Sequence, residues 1–177
     1  MTCFHSSSGR LLQTIGCKFM RQKRVAVFMI NNLFGSMTLA DFQSSSSECA
    51  LQVVSVSTLE FGTVDFSAAL NQAKQAETRL FALLLDQPTM AGQLLEQGYN
   101  MGLFRVGTAI LGTEAITTPQ TWDAIANKLN IAKIMKGFVG LKYSPGLNKF
   151  KAGTEFHQKL YRTAEHSGNQ SRWFDFL

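Results

Sequence analysis

The sequence predicts an α/β domain: a doubly wound, mainly parallel five-stranded sheet with helices on both faces. Three observations carry that prediction. Apolar bursts of four to six residues, rich in Val, Ile, Leu and Phe, recur at 25–30, 51–56, 80–85, 106–111 and 138–141. Near-continuous runs of this kind fit strands covered on both faces. The segments between them carry helical spacing, and strand alternating with helix is the pattern of a parallel sheet. The 177 residues are one domain's worth, long enough to bury a core without staples.

Each element has its local signal. An opening helix is expected near 7–20. The first strand, 25–30, gives way to Asn31-Asn32-Leu33-Phe34-Gly35, and a helix is expected over 39–49. Within it, Ser44 to Ser47 is the single low-complexity stretch; serines weaken a helix only slightly and fit an exposed face. After strand 51–56, Asp65 reads as the N-cap of a helix whose Phe66, Ala69, Leu70 and Ala73 share one face. After strand 80–85, Pro88 takes a first helical position, Met90, Leu94, Leu95 and Met101 follow, and Gly102 is the stop. Strand 106–111 precedes a helix opened by Thr118-Pro119, with Trp122, Ile125 and Leu129 on one face. Strand 138–141 and a helix over 150–162 complete the unit. The domain reading is residues 1–9 as an N-terminal tail, 10–163 as one lobe and 164–177 as a C-terminal tail.

Composition narrows the function classes. Hydrophobic residues make up 45% and aromatics 11%, which fits a packed core and argues against disorder. Charged residues are 16%, below the roughly 25% of an average protein, so much of the surface is polar and uncharged. The net charge is +5. Lys18, Arg21, Lys23 and Arg24 form one basic cluster, and Lys142 to Arg172 carry a looser series. These charges are spread out along the chain, so no nucleic-acid partner is expected and the cations read as a solvated rim. No apolar run reaches the ~18 residues of a membrane span. Met1 to Gly16, with Arg10 in its middle, lacks the apolar stretch of a secretory signal, and the compartment stays open. Cys3, Cys17 and Cys49 show neither a disulfide framework nor zinc spacing, and Cys17 and Cys49 read as buried small hydrophobes.

In an open parallel sheet, ligands bind beyond the carboxyl ends of the strands. That rule selects Asn31 to Gly35, Asp86-Gln87-Pro88 and Gly112-Thr113-Glu114. Asn31 and Asn32 offer amide groups past the first strand, or form an Asn/Gly turn into a helix. Glu114 could hold an ammonium group at a cleft mouth, or serve as a cap or solvated charge. Enzyme signatures are missing: there is no GxSxG, GxxxxGK[ST] or GxGxxG motif. His5, His157 and His166 lack ligand-like spacing, so neither a metal nor a cofactor is expected.

An ordered set of stretches does point to a family. KRVAVFMINNLFG (23–35) is followed by TVDFSAAL (63–70), the apolar strand from Arg79 to Asp86, GYNMGL (98–103), ILGTE (110–114), KGFVGL (136–141) and the last helix. In this order they resemble the type I periplasmic-binding-like ligand-binding region. That region is shared by class C receptor extracellular domains, such as the metabotropic glutamate and GABA type B families, and by branched-chain amino-acid binding proteins. The resemblance covers only the second lobe of that two-lobed clamshell. It implies a non-catalytic, receptor-type lobe, truncated as the sequence stands, which senses an amino acid or similar small molecule. By the same resemblance Phe34 matches an aromatic that packs on the ligand, and Glu114 an aspartate that approaches the ligand ammonium. Asn31, Asn32 and Asp86 are weaker transfers at neighbouring strand mouths. The expected partners are the small molecule and a first-lobe-containing chain or a second copy. Family members are extracellular, periplasmic or membrane-tethered. Three rival readings stay open: the solute-binding component of an ATP-driven amino-acid importer, a flavodoxin-like or Rossmann-like enzyme, and a non-functional remnant.

Overall fold

The computed structural model describes residues 6–44 and 51–141. Five strands, β1 (Arg24–Ile30), β2 (Gln52–Leu59), β3 (Leu80–Leu84), β4 (Ala109–Gly112) and β5 (Phe138–Gly140), form one sheet in the order β2-β1-β3-β4-β5. Every pairing is parallel. Among the described residues six helices connect or flank them: α1 (Ser6–Thr14), α2 (Leu33–Ser44), α3 (Ser67–Gln75), α4 (Pro88–Asn100), α5 (Pro119–Asp123) and α6 (Lys128–Met135). A π-helical turn, Ile15–Phe19, extends α1, and a 3-10 turn, Glu114–Thr117, follows β4.

The alternation of side chains along β1 and β3 explains why both faces are covered. Val25, Val27 and Met29 join Leu80, Ala82 and Leu84 in a cluster with Leu12 of α1 and Phe42 of α2. Ala26, Phe28 and Ile30 join Phe81, Leu83 and Leu85 in a second cluster under α3, α4 and α6. There Phe81 and Phe28 each meet Phe104 edge-on, at ring-centroid distances of 5.2 and 6.3 Å. Each fully buried large apolar side chain of this kind contributes about 1.5–3 kcal/mol.

Several boundaries differ from the sequence reading, each for a physical reason. α2 begins at Leu33 rather than residue 39, because Asn32 caps it: Gly35 N donates to Asn32 Oδ1 at 2.9 Å. β2 runs on to Leu59, since Ser55, Ser57 and Thr58 interrupt the apolar run yet still pair with Ala26, Phe28 and Met29 of β1, past an irregularity at Val54. Val106, expected in a strand, is 90% exposed in the turn before β4. The helix after Pro119 breaks at 124–127, where the carboxylate of Glu96 accepts hydrogen bonds from the backbone N–H groups of Ala126 and Asn127 at 2.9 and 2.8 Å. Leu129 is thereby 79% exposed instead of sharing a face with Trp122 and Ile125. Asp65 does accept from Ser67 N, at 3.0 Å, but Phe66 is the N-cap of α3. Cys17, expected to be buried, is half-buried, and it is disulfide-bonded. α1 starts at Ser6, inside the segment read as a tail. The helix expected over 150–162 lies outside the described residues.

Candidate functional site

Because all five strands run the same way, their carboxyl ends open onto one edge. In the order β2-β1-β3-β4-β5, consecutive connections leave β1 in opposite directions, so the crevice opens between β1 and β3. Side-chain hydrogen bonds tie neighbouring strand ends together along that edge. Asn31 Nδ2 donates to Glu60 Oε1 at 2.6 Å, linking the ends of β1 and β2. Asn32 Nδ2 donates to Asp86 Oδ2 at 2.8 Å, bridging β1 and β3 across the crevice. Thr113 Oγ1 donates to the carbonyl of Leu85, linking β3 and β4. The result is a row from Glu60 through Asn31, Asn32 and Asp86 to Thr113 and Glu114.

Local sequence makes the row possible. α2 must leave β1 steeply, and Gly35 allows it: a Cβ there would collide with the carbonyl oxygen of Ile30. The close approach that Gly35 permits is thus to the chain's own backbone. Asn32 then serves two partners at once, capping α2 with its oxygen and holding Asp86 with its nitrogen.

Four of the five sequence-selected residues, Asn31, Asn32, Asp86 and Glu114, fall on this row. Asp86 is half-buried, and its second carboxylate oxygen, Oδ1, is buried with no hydrogen-bond partner among the described residues. Glu114 is exposed at the start of the 3-10 turn, and no hydrogen bond or ion pair engages its carboxylate among the described residues. Phe34 is half-buried against the core cluster under α3 and α4, so only part of it faces the edge. The apolar side chains that the edge does expose include Leu33, Phe61 and Val64, at 75%, 76% and 69%. Glu60 and Phe61 escaped the sequence reading, which stopped the second strand three residues early; the strand-end rule applied at Leu59 finds both.

Chemically, the described part of the edge is acidic. Glu60, Asp65, Asp86 and Glu114 lie in turns 60–66, 85–87 and 113–118, where no Lys, Arg or His occurs. Hydrogen bonds from the side chain and backbone N–H of Ser67 hold the Asp65 carboxyl below the usual carboxylate range. Such an edge suits a cation with hydrogen-bonding protons, as an ammonium has. Among the described residues no three His, Cys, Asp or Glu cluster in a way that could hold a metal ion.

No protein-family model matches the sequence, and no curated protein matches it. Solved structures do match in fold. The branched-chain amino acid transporter substrate-binding protein LivJ of Streptococcus pneumoniae, in complex with isoleucine, aligns with a TM-score of 0.67 at 17% identity, over 94% of this chain and 44% of that one. The leucine-binding protein LivK of Thermotoga maritima gives 0.64 at 18% identity over the same shares. A solute-binding protein of an ABC transporter from R. palustris, in complex with benzoate, gives 0.60 at 17%, over 70% of this chain and 33% of that one. The chain has the fold of one lobe of a type I periplasmic binding protein, and it spans less than half the length of these neighbours.

Proposed function

We propose that this chain is the second, non-catalytic lobe of a receptor-type sensing domain, and that its strand-end edge holds the ammonium group of an amino-acid-like ligand. The observation that carries this reading is Asp86. A buried carboxylate oxygen without a partner is costly, about 1–3 kcal/mol or more for a charged group. It lies at the crevice between β1 and β3, held by Asn32, where a ligand would supply the missing proton donor. Glu114 provides a second carboxylate from the neighbouring strand end, Asn31 a supplementary amide, and Phe34 with Leu33 and Phe61 an apolar flank.

A second reading, the solute-binding component of an ATP-driven importer, is favoured by the neighbours, which are solute-binding proteins of transporters. The strand order is also that of flavodoxin-like enzymes. Against a nucleotide or flavin stand the acidic edge, which repels phosphate, and the use of Gly35 for packing on Ile30. The Cys17 disulfide favours an oxidising compartment, as either binding-protein reading requires.

The test is thermal unfolding of the full chain with leucine, leucinamide and the 2-keto acid of leucine. A ligand at about 100 times its Kd adds about 2.7 kcal/mol of stability. The two amines should raise the midpoint and the keto acid should not, and Asp86→Asn and Glu114→Gln should remove the response. An equal shift with the keto acid, or an unchanged response in both variants, would sink the ammonium reading.

A further inference from the structure

The opposite end of the sheet carries a cavity of about 600 Å³ lined by Tyr99, Asn100, Arg105, Val106, Lys133 and Lys136. It lies where α4 and α6 end, below the amino-terminal ends of β4 and β5. We propose that this cavity binds a phosphate group, carried either by a free phosphorylated small molecule or by a lipid headgroup.

The charge arithmetic supports it. Arg105, Lys133 and Lys136 line the cavity with no carboxylate among its lining residues. The single ion pair among the described residues is Arg10 with Asp41, so none of the three is neutralised by a side chain. The carboxyl ends of α4 and α6 each present about half a negative charge, which offsets roughly one cation and leaves a surplus of about two. A phosphate monoester carries about −1.5 to −2 at pH 7 and fits that surplus; a monocarboxylate does not.

Geometry supports it as well. Lys133 in the last turn of α6 and Lys136 at its C-cap are three residues apart and share a helical face. The Arg105 guanidinium is packed on Gly102, whose φ of +76° ends α4; a Cβ there would lie 2.6 Å from Arg105 Cζ and Nε. One of the three cations thus lies against backbone, with its side chain otherwise exposed. Tyr99 and Asn100 add a hydroxyl and an amide, while the Tyr99 ring and exposed Val106 give one apolar side. The volume falls in the ~300–1,000 Å³ range of small-molecule sites, leaving room for an organic group beyond the phosphate.

The experiment titrates the full chain with inorganic phosphate, with phenyl phosphate, and with phosphatidylcholine vesicles with or without phosphatidic acid, all at constant ionic strength. Amide resonances of residues 99–106 and 133–136 report the soluble probes, and co-sedimentation reports the vesicles. Saturable binding of at least one phosphate probe is expected, weakened about tenfold or more in Lys133→Ala/Lys136→Ala. The double variant Lys23→Ala/Lys74→Ala removes the same charge from the same end outside the cavity and should leave binding unchanged. Saturation by the soluble probes marks a free phosphate as the ligand; binding to phosphatidic acid vesicles alone marks a headgroup. The proposal is overturned if nothing saturates, or if the two double variants weaken binding equally. Binding should be indifferent to Asp86→Asn, so this result is separable from that at the strand-end edge.

Discussion

The two ends of the sheet have opposite chemistry. At the carboxyl end, Glu60, Asp65, Asp86 and Glu114 stand without a cation in the turns that carry them. At the amino end, Lys23 and Arg24 lead into β1, Lys74 and Arg79 into β3, Arg105 into β4, and Lys133 with Lys136 into β5, against Glu77 and, in the last turn of α2, Asp41, which is paired with Arg10. Part of this segregation follows from the fold. In a parallel α/β unit the helices start at the carboxyl end and finish at the amino end, so acids meet helix starts and bases meet helix ends, each worth about 0.3–1 kcal/mol. Asp65 before α3 and Lys74 in its last turn are accounted for in this way. Two features exceed it: the Asp86 oxygen with no partner among the described residues, and the three cations gathered around one cavity. The difference separates charges that serve the helices from charges left over for ligands.

The substitution that breaks the carboxyl end most severely is Asn32→Ala. It removes the cap of α2 and the sole hydrogen-bond partner of Asp86 among the described residues, together about 2–4 kcal/mol. Asp86→Ala in the same chain should recover part of that loss, since no buried carboxylate is then stranded. Urea unfolding of the two single variants and the double variant checks it; strictly additive losses would mean that Asn32 and Asp86 are not coupled.

Next come matched glycine substitutions, one at each end. Gly35→Ala drives a Cβ into the carbonyl oxygen of Ile30, a rigid backbone group, and should cost about 1–3 kcal/mol. Gly102→Ala pays for a left-handed backbone, about 1–2 kcal/mol, but the atoms it meets belong to the movable end of Arg105. Denaturant midpoints should therefore fall further for Gly35→Ala. Gly102→Ala should weaken phosphate binding more than it lowers stability; the reverse order would make the amino end the more rigid of the two.

What the sequence revealed tracks how local each determinant is. β1 and β3 were legible almost to the residue because, after the exposed Arg24 that opens β1, both faces are buried and every position is apolar. β2 is an edge strand with half-exposed side chains, so its serines hid the final residues and, with them, Glu60 and Phe61. The break between α5 and α6 depends on Glu96, 30 residues away from the amide it captures at Ala126, and no local pattern announces such a contact. The strand-end rule found Asn31, Asn32, Asp86 and Glu114, yet not which pair: that Asn32 reaches Asp86 and Asn31 reaches Glu60 follows from strand order. Phe34 was selected by resemblance, and packing gives much of it to the core while exposing Leu33 beside it.

The smallest expected effect concerns Asp65 and tests how far the acidic end stabilises the fold rather than serving a ligand. The side chain and backbone N–H of Ser67 hydrogen-bond to its carboxylate and hold the folded-state pKa below the usual value. A carboxyl depressed in the folded state binds its proton less readily than in the unfolded chain. Its contribution is therefore complete above the unfolded value of about 3.9 and is lost as pH falls through the lower, folded one. Asp65→Asn removes the titration. The gap in stability between the natural chain and this variant should stay constant from about pH 7 to 5 and close below about pH 4. A gap that persists undiminished to pH 3 would mean that the Ser67 contacts do not depend on the charge, and would leave Asp65, like Glu114, a carboxylate whose charge has no structural duty.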